Sequence, residues 1–162
     1  MIVESVAIPE DRKAVLIGRQ GKNKRNIEKR TATKIEVGDI VEIRGESLDV
    51  YRAVKVVKAI ARGFSPPKAL LLLNEDFELD IMSLQGEEDN TIHRLMARVI
   101  GRGGIARRKL ELKTHTCISI YGKTVAVIGK PDDIRAAHEA IASLLSGAPH
   151  YIAYKIADEE EK

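Results

Sequence analysis

Two short glycine-bearing segments are the places where this sequence could do chemistry. Gly18-Arg19-Gln20-Gly21 and Gly101-Arg102-Gly103-Gly104 each follow an isoleucine, Ile17 or Ile100, and each leads into a basic run. Glycine lacks Cβ, so the backbone can take φ > 0 and lie close to a bulky ligand. Where such a turn opens a helix, the free N–H groups and the helix dipole favour an anion. The neighbouring side chains agree. Between Ile17 and Lys34 stand Arg19, Lys22, Lys24, Arg25, Lys29, Arg30 and Lys34, against Glu28 alone. Between Arg98 and His115 stand Arg102, Arg107, Arg108, Lys109 and Lys113, against Glu111 alone. The acids gather elsewhere, at Glu75, Asp76, Glu78, Asp80, Glu87, Glu88 and Asp89, and at Asp158 to Glu161. A net charge of only +3 therefore conceals two basic patches, the footprint of two sites for a polyanion.

Other chemistries fail on residue type or context. A nucleotide-hydrolysing phosphate loop needs Gly-Lys followed by Ser or Thr, but Gly21-Lys22 is followed by Asn23. A dinucleotide loop follows a strand, whereas Gly101 follows the helix-like run Ile92 to Ile100. His93, His115, His138 and His150 are scattered without metal-ligand spacing, and Glu75, Asp76, Glu87 and Glu88 read as an acidic, solvated loop. No metal and no cofactor is expected. The single cysteine, Cys117, forms no intramolecular disulfide and no CxxC pair, and is read as a buried small apolar residue in a reducing cytoplasm. No signal-like segment precedes the first strand and no apolar run reaches about 18 residues, so a soluble cytoplasmic chain without a membrane partner is expected. No nucleophile–base pair or carboxylate set converges on the glycine loops, so the chain is not expected to be an enzyme.

The elements that position the loops come from an internal repeat. The first loop meets the second at an offset of 83 residues, and the match continues without a gap. Arg25 meets Arg108, Ile27 meets Leu110, Glu28 meets Glu111, Thr31 meets Thr114, Thr33 meets Thr116 and Ile35 meets Ile118. In the first copy, Ile2 to Ala7 is β-rich, Asp11 to Ile17 and Lys22 to Arg30 are helical, and Thr33 to Val37 and Ile40 to Arg44 alternate as strands about a Gly38-Asp39 turn. A long helix follows with Ser47 as its N-cap and Leu48, Val50, Tyr51, Val54, Val57, Ala59, Ile60 and Ala61 as its apolar face. The second copy repeats the order. Strand Phe77 to Leu84 precedes a helix capped by Asp89 or Asn90, then helix Ile105 to Lys113, strands Cys117 to Tyr121 and Thr124 to Ile128, and helix Asp132 to Leu145. Each unit reads βααββα. The expected divisions are a first domain at 1–63, a linker at 64–73 in which Pro66-Pro67 stops the preceding helix and Lys68 to Leu73 can form one helical turn, a second domain at 74–146 and a tail at 147–162.

An Ile-Gly-x-x-Gly loop between two helices inside βααββα resembles the type I KH domain, and both copies carry it across nearly the whole chain. The resemblance implies an α+β fold of two KH domains, each a three-stranded antiparallel sheet packed on three helices. It implies that each loop clamps the backbone of about four nucleotides of single-stranded RNA while bases lie in an apolar groove. The RNA-binding residues would be Gly18, Arg19, Gln20, Gly21, Lys22, Lys24 and Arg25, with Gly101, Arg102, Gly103, Gly104, Arg107 and Arg108 in the second copy. The groove would be walled by Ile17, Ile27 and Ile35, and by Ile100, Leu110 and Ile118. Gly103 replaces the commoner polar residue and should loosen the second clamp slightly. Glycines can also serve only as tight helix–helix turns, but two copies with flanking cations in the same element order favour the clamp.

A narrower resemblance is to the archaeal partner-of-Nob-one proteins, two-KH assembly factors of the small ribosomal subunit. It rests on Ile118-Ser119-Ile120-Tyr121-Gly122-Lys123-Thr124-Val125 and on Gly147-Ala148-Pro149-His150 with Tyr151 and Tyr154. The presence of both Gly18 and Gly21 is similar to the archaeal members. This resemblance implies binding near the 3′ end of small-subunit rRNA during ribosome assembly or rRNA maturation. It implies partnership with the endonuclease that matures that end, and with pre-ribosomal particles. A general KH module linked to translation, transcription elongation or RNA decay would share the loops without needing the Gly147 to Tyr154 tail. A protein-interaction scaffold built on the same fold would bind no RNA.

Overall fold

A computed structural model describes residues 1–159; residues 160–162, the end of the acidic terminus, lie outside the described residues. The chain divides into two compact units, Met1–Glu75 and Asp76–Lys162. In the first, β1 (Ile2–Val6), α1 (Glu10–Ile17), α2 (Lys22–Thr31), β2 (Lys34–Val37), β3 (Val41–Gly45) and α3 (Ser47–Ala61) follow the expected order. The sheet order is β1-β3-β2, antiparallel throughout, with Val6 and Val37 both opposite Val41. Alternation explains it: Val41 and Ile43 of the central strand turn inward while Arg44 faces water. Leu16, Ile27, Ile35, Val50, Val57 and Ile60 complete this core from the helices and β2.

The second unit repeats the plan with β4 (Glu78–Ser83), α5 (Asp89–Ile100), α6 (Ile105–Thr114), β5 (Cys117–Tyr121), β6 (Thr124–Gly129) and α7 (Pro131–Leu145). Its sheet order is β4-β6-β5, with Ser83 and Tyr121 both opposite Thr124. Val99, Leu110, Ile118, Val125, Val127, Ile141 and Leu144 are buried together. Both units are thus α+β, three-stranded antiparallel sheets packed on helices, as two type I KH domains require.

Several local expectations need correction. Ser47 does not cap α3. It is the first helical residue, and the extended Glu46 holds the cap position without a side-chain hydrogen bond. Asp89 likewise begins α5 behind an extended Glu88, so neither Asp89 nor Asn90 is the cap. Leu48 and Tyr51, placed on the apolar face of α3, are exposed, and Ala53 and Val56 are buried with Val50 and Val57 instead. Cys117 is half-buried. The segment expected as a linker folds as α4 (Pro66–Ala69) and a 3-10 turn, Leu70–Leu73, both against α3, with Phe64, Ala69 and Leu72 buried. Residues after Gly147 form a further helix, α8 (His150–Glu159), which packs on α6 and α7 and adds Ala153 and Ala157 to the second core.

Candidate nucleic-acid interface

Each glycine loop is a tight turn that ends one helix and starts the next. The N–H of Gly18 donates to the Ala14 carbonyl at 2.9 Å, and that of Gly21 to the Gly18 carbonyl at 3.1 Å. The second loop has the same pair, Gly101 to Ala97 at 2.8 Å and Gly104 to Gly101 at 3.2 Å. Gly18 and Gly101 have φ/ψ of 75°/175° and 74°/174°, a region open essentially to glycine alone. Gln20 and Gly103 follow at 56°/27° and 61°/19°, and Gly21 and Gly104 at 75°/14° and 80°/11°. Two stretches of different sequence therefore hold the same succession of three left-side conformations. The helices they open, α2 and α6, carry no side-chain N-cap, and their first N–H groups, at Lys22 and Ile105, donate to the carbonyls of Arg19 and Arg102 within the loops.

The cations differ in how they are held. Arg19, Lys22, Arg25, Arg102 and Arg108 are exposed around the loops. Arg25 arches back so that its Nη1 donates to the Gln20 carbonyl at 2.6 Å, which fixes the turn as well as the charge. Lys24 and Arg107 are half-buried in ion pairs one turn ahead, with Glu28 at 3.2 Å and Glu111 at 2.9 Å. These two are compensated charges, so the uncompensated field at the loops comes from the exposed set.

The apolar residues separate into two layers. Ile27, Ile35, Leu110 and Ile118 are almost wholly buried, at 0–2% exposure, and belong to the core beneath the groove. Ile17 is half-buried and Ile100 is exposed, each at the end of the helix before its loop. In the first unit an open depression of about 560 Å³ lies beside α2 and the β2–β3 turn. Ile35 forms its floor, and Val37, Ile40, Lys24, Glu36 and Glu42 form its sides. Exposed Ile40 is a groove residue that the repeat gave no reason to single out.

Other functional positions also lay in plain view in the repeat without a role. Glu28 and Glu111 each accept a hydrogen bond from the first paired strand, at Ile35 N (2.8 Å) and Ile118 N (2.9 Å). They tie the clamp helix to the strand across the groove while holding Lys24 and Arg107. The buried hydroxyls of Thr31 and Thr33, and of Thr114 and Thr116, meet at 2.8 Å in both units and close the turn between helix and strand. Outside the repeat register, Arg12 donates to the carbonyls of Ile60 (2.8 Å) and Phe64 (2.7 Å), and Arg98 to those of Leu144 (3.1 Å) and Ala148. Each arginine fastens the helix that precedes a loop to the end of its unit's longest helix, α3 or α7. Among the described residues no group of His, Cys, Asp or Glu could hold a metal ion, and no helix is long and apolar enough to cross a membrane.

Comparison with known proteins agrees with this geometry. The eukaryotic-type KH domain, type I, in its Pno1 second-domain form matches residues 77–162, and the general KH domain matches residues 3–59. A KH domain-containing protein of Methanocaldococcus jannaschii is 38% identical over 169 residues, covering 99% of this chain and 74% of that protein. The pre-rRNA-processing protein pno1 of Schizosaccharomyces pombe is 30% identical over 107 residues, 62% of this chain; the chain spans only 43% of that protein's length. Among solved structures, aDim2p in the a/eIF2alpha-aDim2p-rRNA complex from Pyrococcus horikoshii superposes with a TM-score of 0.92 at 41% identity, covering 99% of this chain and 94% of that one.

Proposed function

The chain belongs to the KH-domain family of the Pno1 type, and on that premise we propose that it holds single-stranded rRNA with both glycine loops during assembly of the small ribosomal subunit. The observation that carries this is the duplicated loop geometry: two uncapped helix N-termini, each opened by the same glycine turn and ringed by exposed arginines. Phosphates would meet the N-terminal turns of α2 and α6, with charge from Arg19, Lys22, Arg25, Arg102 and Arg108. Bases would lie over Ile17, Ile35 and Ile40 in the first unit and over the corresponding floor at Ile118 in the second. A duplex hides its base edges in a deep, narrow groove, so an unpaired strand is the ligand.

The finer assignment draws on the relatives. A pre-rRNA-processing protein and an aDim2p–rRNA complex are among them and support a ribosomal RNA target, which the family resemblance would put near the 3′ end of small-subunit rRNA. The partners would be pre-ribosomal particles, the endonuclease acting there and, by the solved complex, a translation initiation factor subunit. The chain would work in the cytoplasm, and cleavage would belong to the endonuclease.

The test is a competition between a single-stranded 3′-terminal rRNA oligomer, its scrambled version and its duplex. The expected order of affinity is 3′-terminal, scrambled, duplex. Replacing Arg19, Lys22, Arg102 and Arg108 together by Ala should lower the slope of log affinity against log salt by roughly 0.7 per lost phosphate contact. Equal affinity for the scrambled strand would leave a general RNA binder, and preference for the duplex would remove the clamp.

A further inference from the structure

Helix α8 lies along α6 in a fixed register. Lys109 Nζ stands 5.0 Å over the Tyr154 ring, and Lys113 Nζ is 2.9 Å from Asp158. Both pairs are 45 positions apart, so the two helices run side by side in the same direction. One turn earlier on that face of α8 is Tyr151, which therefore stands beside the first turn of α6, where Ile105 follows Gly104. The start of α8 is pinned at this end, because His150 Nε2 lies 2.9 Å from the carbonyl oxygen of Arg98, in the last turn before the second loop. Tyr151 is 68% exposed and Ile105 is 47% exposed. An aromatic ring and a branched aliphatic chain thus lie open to water at the rim of the second clamp. Exposed Arg102, Arg108 and Lys109 stand three or four positions from Ile105, and exposed Lys155 stands four from Tyr151, one turn away along the chain, while Asp158 is held by Lys113.

We propose that Tyr151 and Ile105 form a stacking platform for a base of the same RNA strand, just outside the nucleotides held by the second loop. The proposal rests on the single-stranded RNA reading above and extends it to a third element. Charge selects the occupant: a rim of cations around an exposed ring fits a nucleotide, with its π-face and phosphate, better than an apolar peptide. Aromatic–base stacking tolerates any base, so the platform lengthens the bound segment without adding sequence preference. The first unit has no counterpart, since Lys22 occupies the position of Ile105 and α3 is followed by α4 and not by a helix along α2.

The experiment uses the full chain with the first loop disabled by Gly21→Asp and Arg19→Ala, so that only the second clamp is read. Affinities are compared for single-stranded RNAs of about four and about eight nucleotides. Tyr151→Ala should weaken the longer RNA by about fivefold or more and leave the shorter one unchanged, and Tyr151→Phe should keep the parent affinities. With 4-thiouridine placed outside the clamped segment, crosslinks should map to the peptide holding Tyr151. Affinities of the Ala variant unchanged from the parent at both lengths overturn the proposal, and so does an equal loss at both, which marks a merely structural tyrosine. If the first-loop-disabled parent bound neither RNA while the intact chain bound them, the platform would fall and the first clamp would stand. If the intact chain bound no single strand, both readings would fall together.

Discussion

The first and second glycine loops share a backbone and differ in what supports it and in its middle residue. Beneath Gly18 the space is filled by Asn23, whose Nδ2 donates to the Val15 carbonyl at 2.9 Å. Beneath Gly101 it is filled by Ala106, whose backbone N would lie 2.8 Å from a Cβ added to the glycine. The middle position is Gln20 in one loop and Gly103 in the other, at nearly the same angles. Gln20 thus bears left-handed strain that Gly103 does not, and Arg25 bonds its carbonyl as if to hold it there. The slackness expected of the second loop has no counterpart in these backbone angles, and would have to come from the wider freedom of glycine. Conformation at the clamp is dictated by where glycine is obligatory, whereas charge and shape around it are free to diverge.

The largest effect should separate the two obligatory glycines. Gly101→Ala forces a forbidden conformation and also a clash with backbone, and should destabilise the second unit by about 3 kcal/mol or more. Gly18→Ala meets only the Asn23 side chain, at 2.6 Å, and should cost the first unit about 2 kcal/mol. Urea unfolding followed by NMR, with signals from each unit, reads both. Equal losses would mean that the support beneath the loop is irrelevant. The same reasoning places clamp-disrupting aspartates at Gly21 or Gly104, where an added Cβ meets only the guanidinium end of Arg25 or Arg108 and no backbone.

A smaller and matched effect is expected where the units are alike. Glu28→Ala and Glu111→Ala each leave a strand N–H without its acceptor, at carboxylates of 17% and 16% exposure, and should each cost about 1–3 kcal/mol. A marked inequality in unfolding midpoints would show that the two groove ties do not do the same job. The smallest effect should come from Gln20→Gly. Relief of about 1 kcal/mol of strain is offset by about 0.4–1 kcal/mol of added freedom in the unfolded chain, so stability should move by less than about 0.5 kcal/mol. A gain well above that would mean that Gln20 is strained by more than its φ.

The repeat made most of this legible. A match at 83 residues fixes element order twice over, because loop, helix and strand must recur together, and the six strands and their turns lie where alternation put them. Three kinds of feature escaped. The starts of α3 and α5 lie at least one residue before the sequence places them, because a capping side chain and a first-turn side chain are the same residue types. Groove and floor could not be separated at Ile27 or Ile35, since periodicity reports an inward face but not what lies above it. Helix α8 lies beyond the repeat, and what it buries, Ala153 and Ala157, is too small to stand out as a hydrophobic stripe. The arginine ties from Arg12 and Arg98 occupy different positions relative to their loops, so no alignment of the copies could pair them.

Those ties have a consequence for synthesis of the chain. Arg12 must wait for the carbonyls of Ile60 and Phe64, and Arg98 for those of Leu144 and Ala148, about 50 residues downstream in each case. A loop emerging from the ribosome has its glycines, cations and clamp helix well before its leading helix can be fastened. Each tie can form only when α3 or α7 has been translated, and that of the N-terminal unit forms first. A nascent chain cut off after β3 or β6 would carry the whole glycine motif with the α1 or α5 arginine unsecured. The order of the genetic message thus sets when each half of the protein becomes able to grip a nucleic acid.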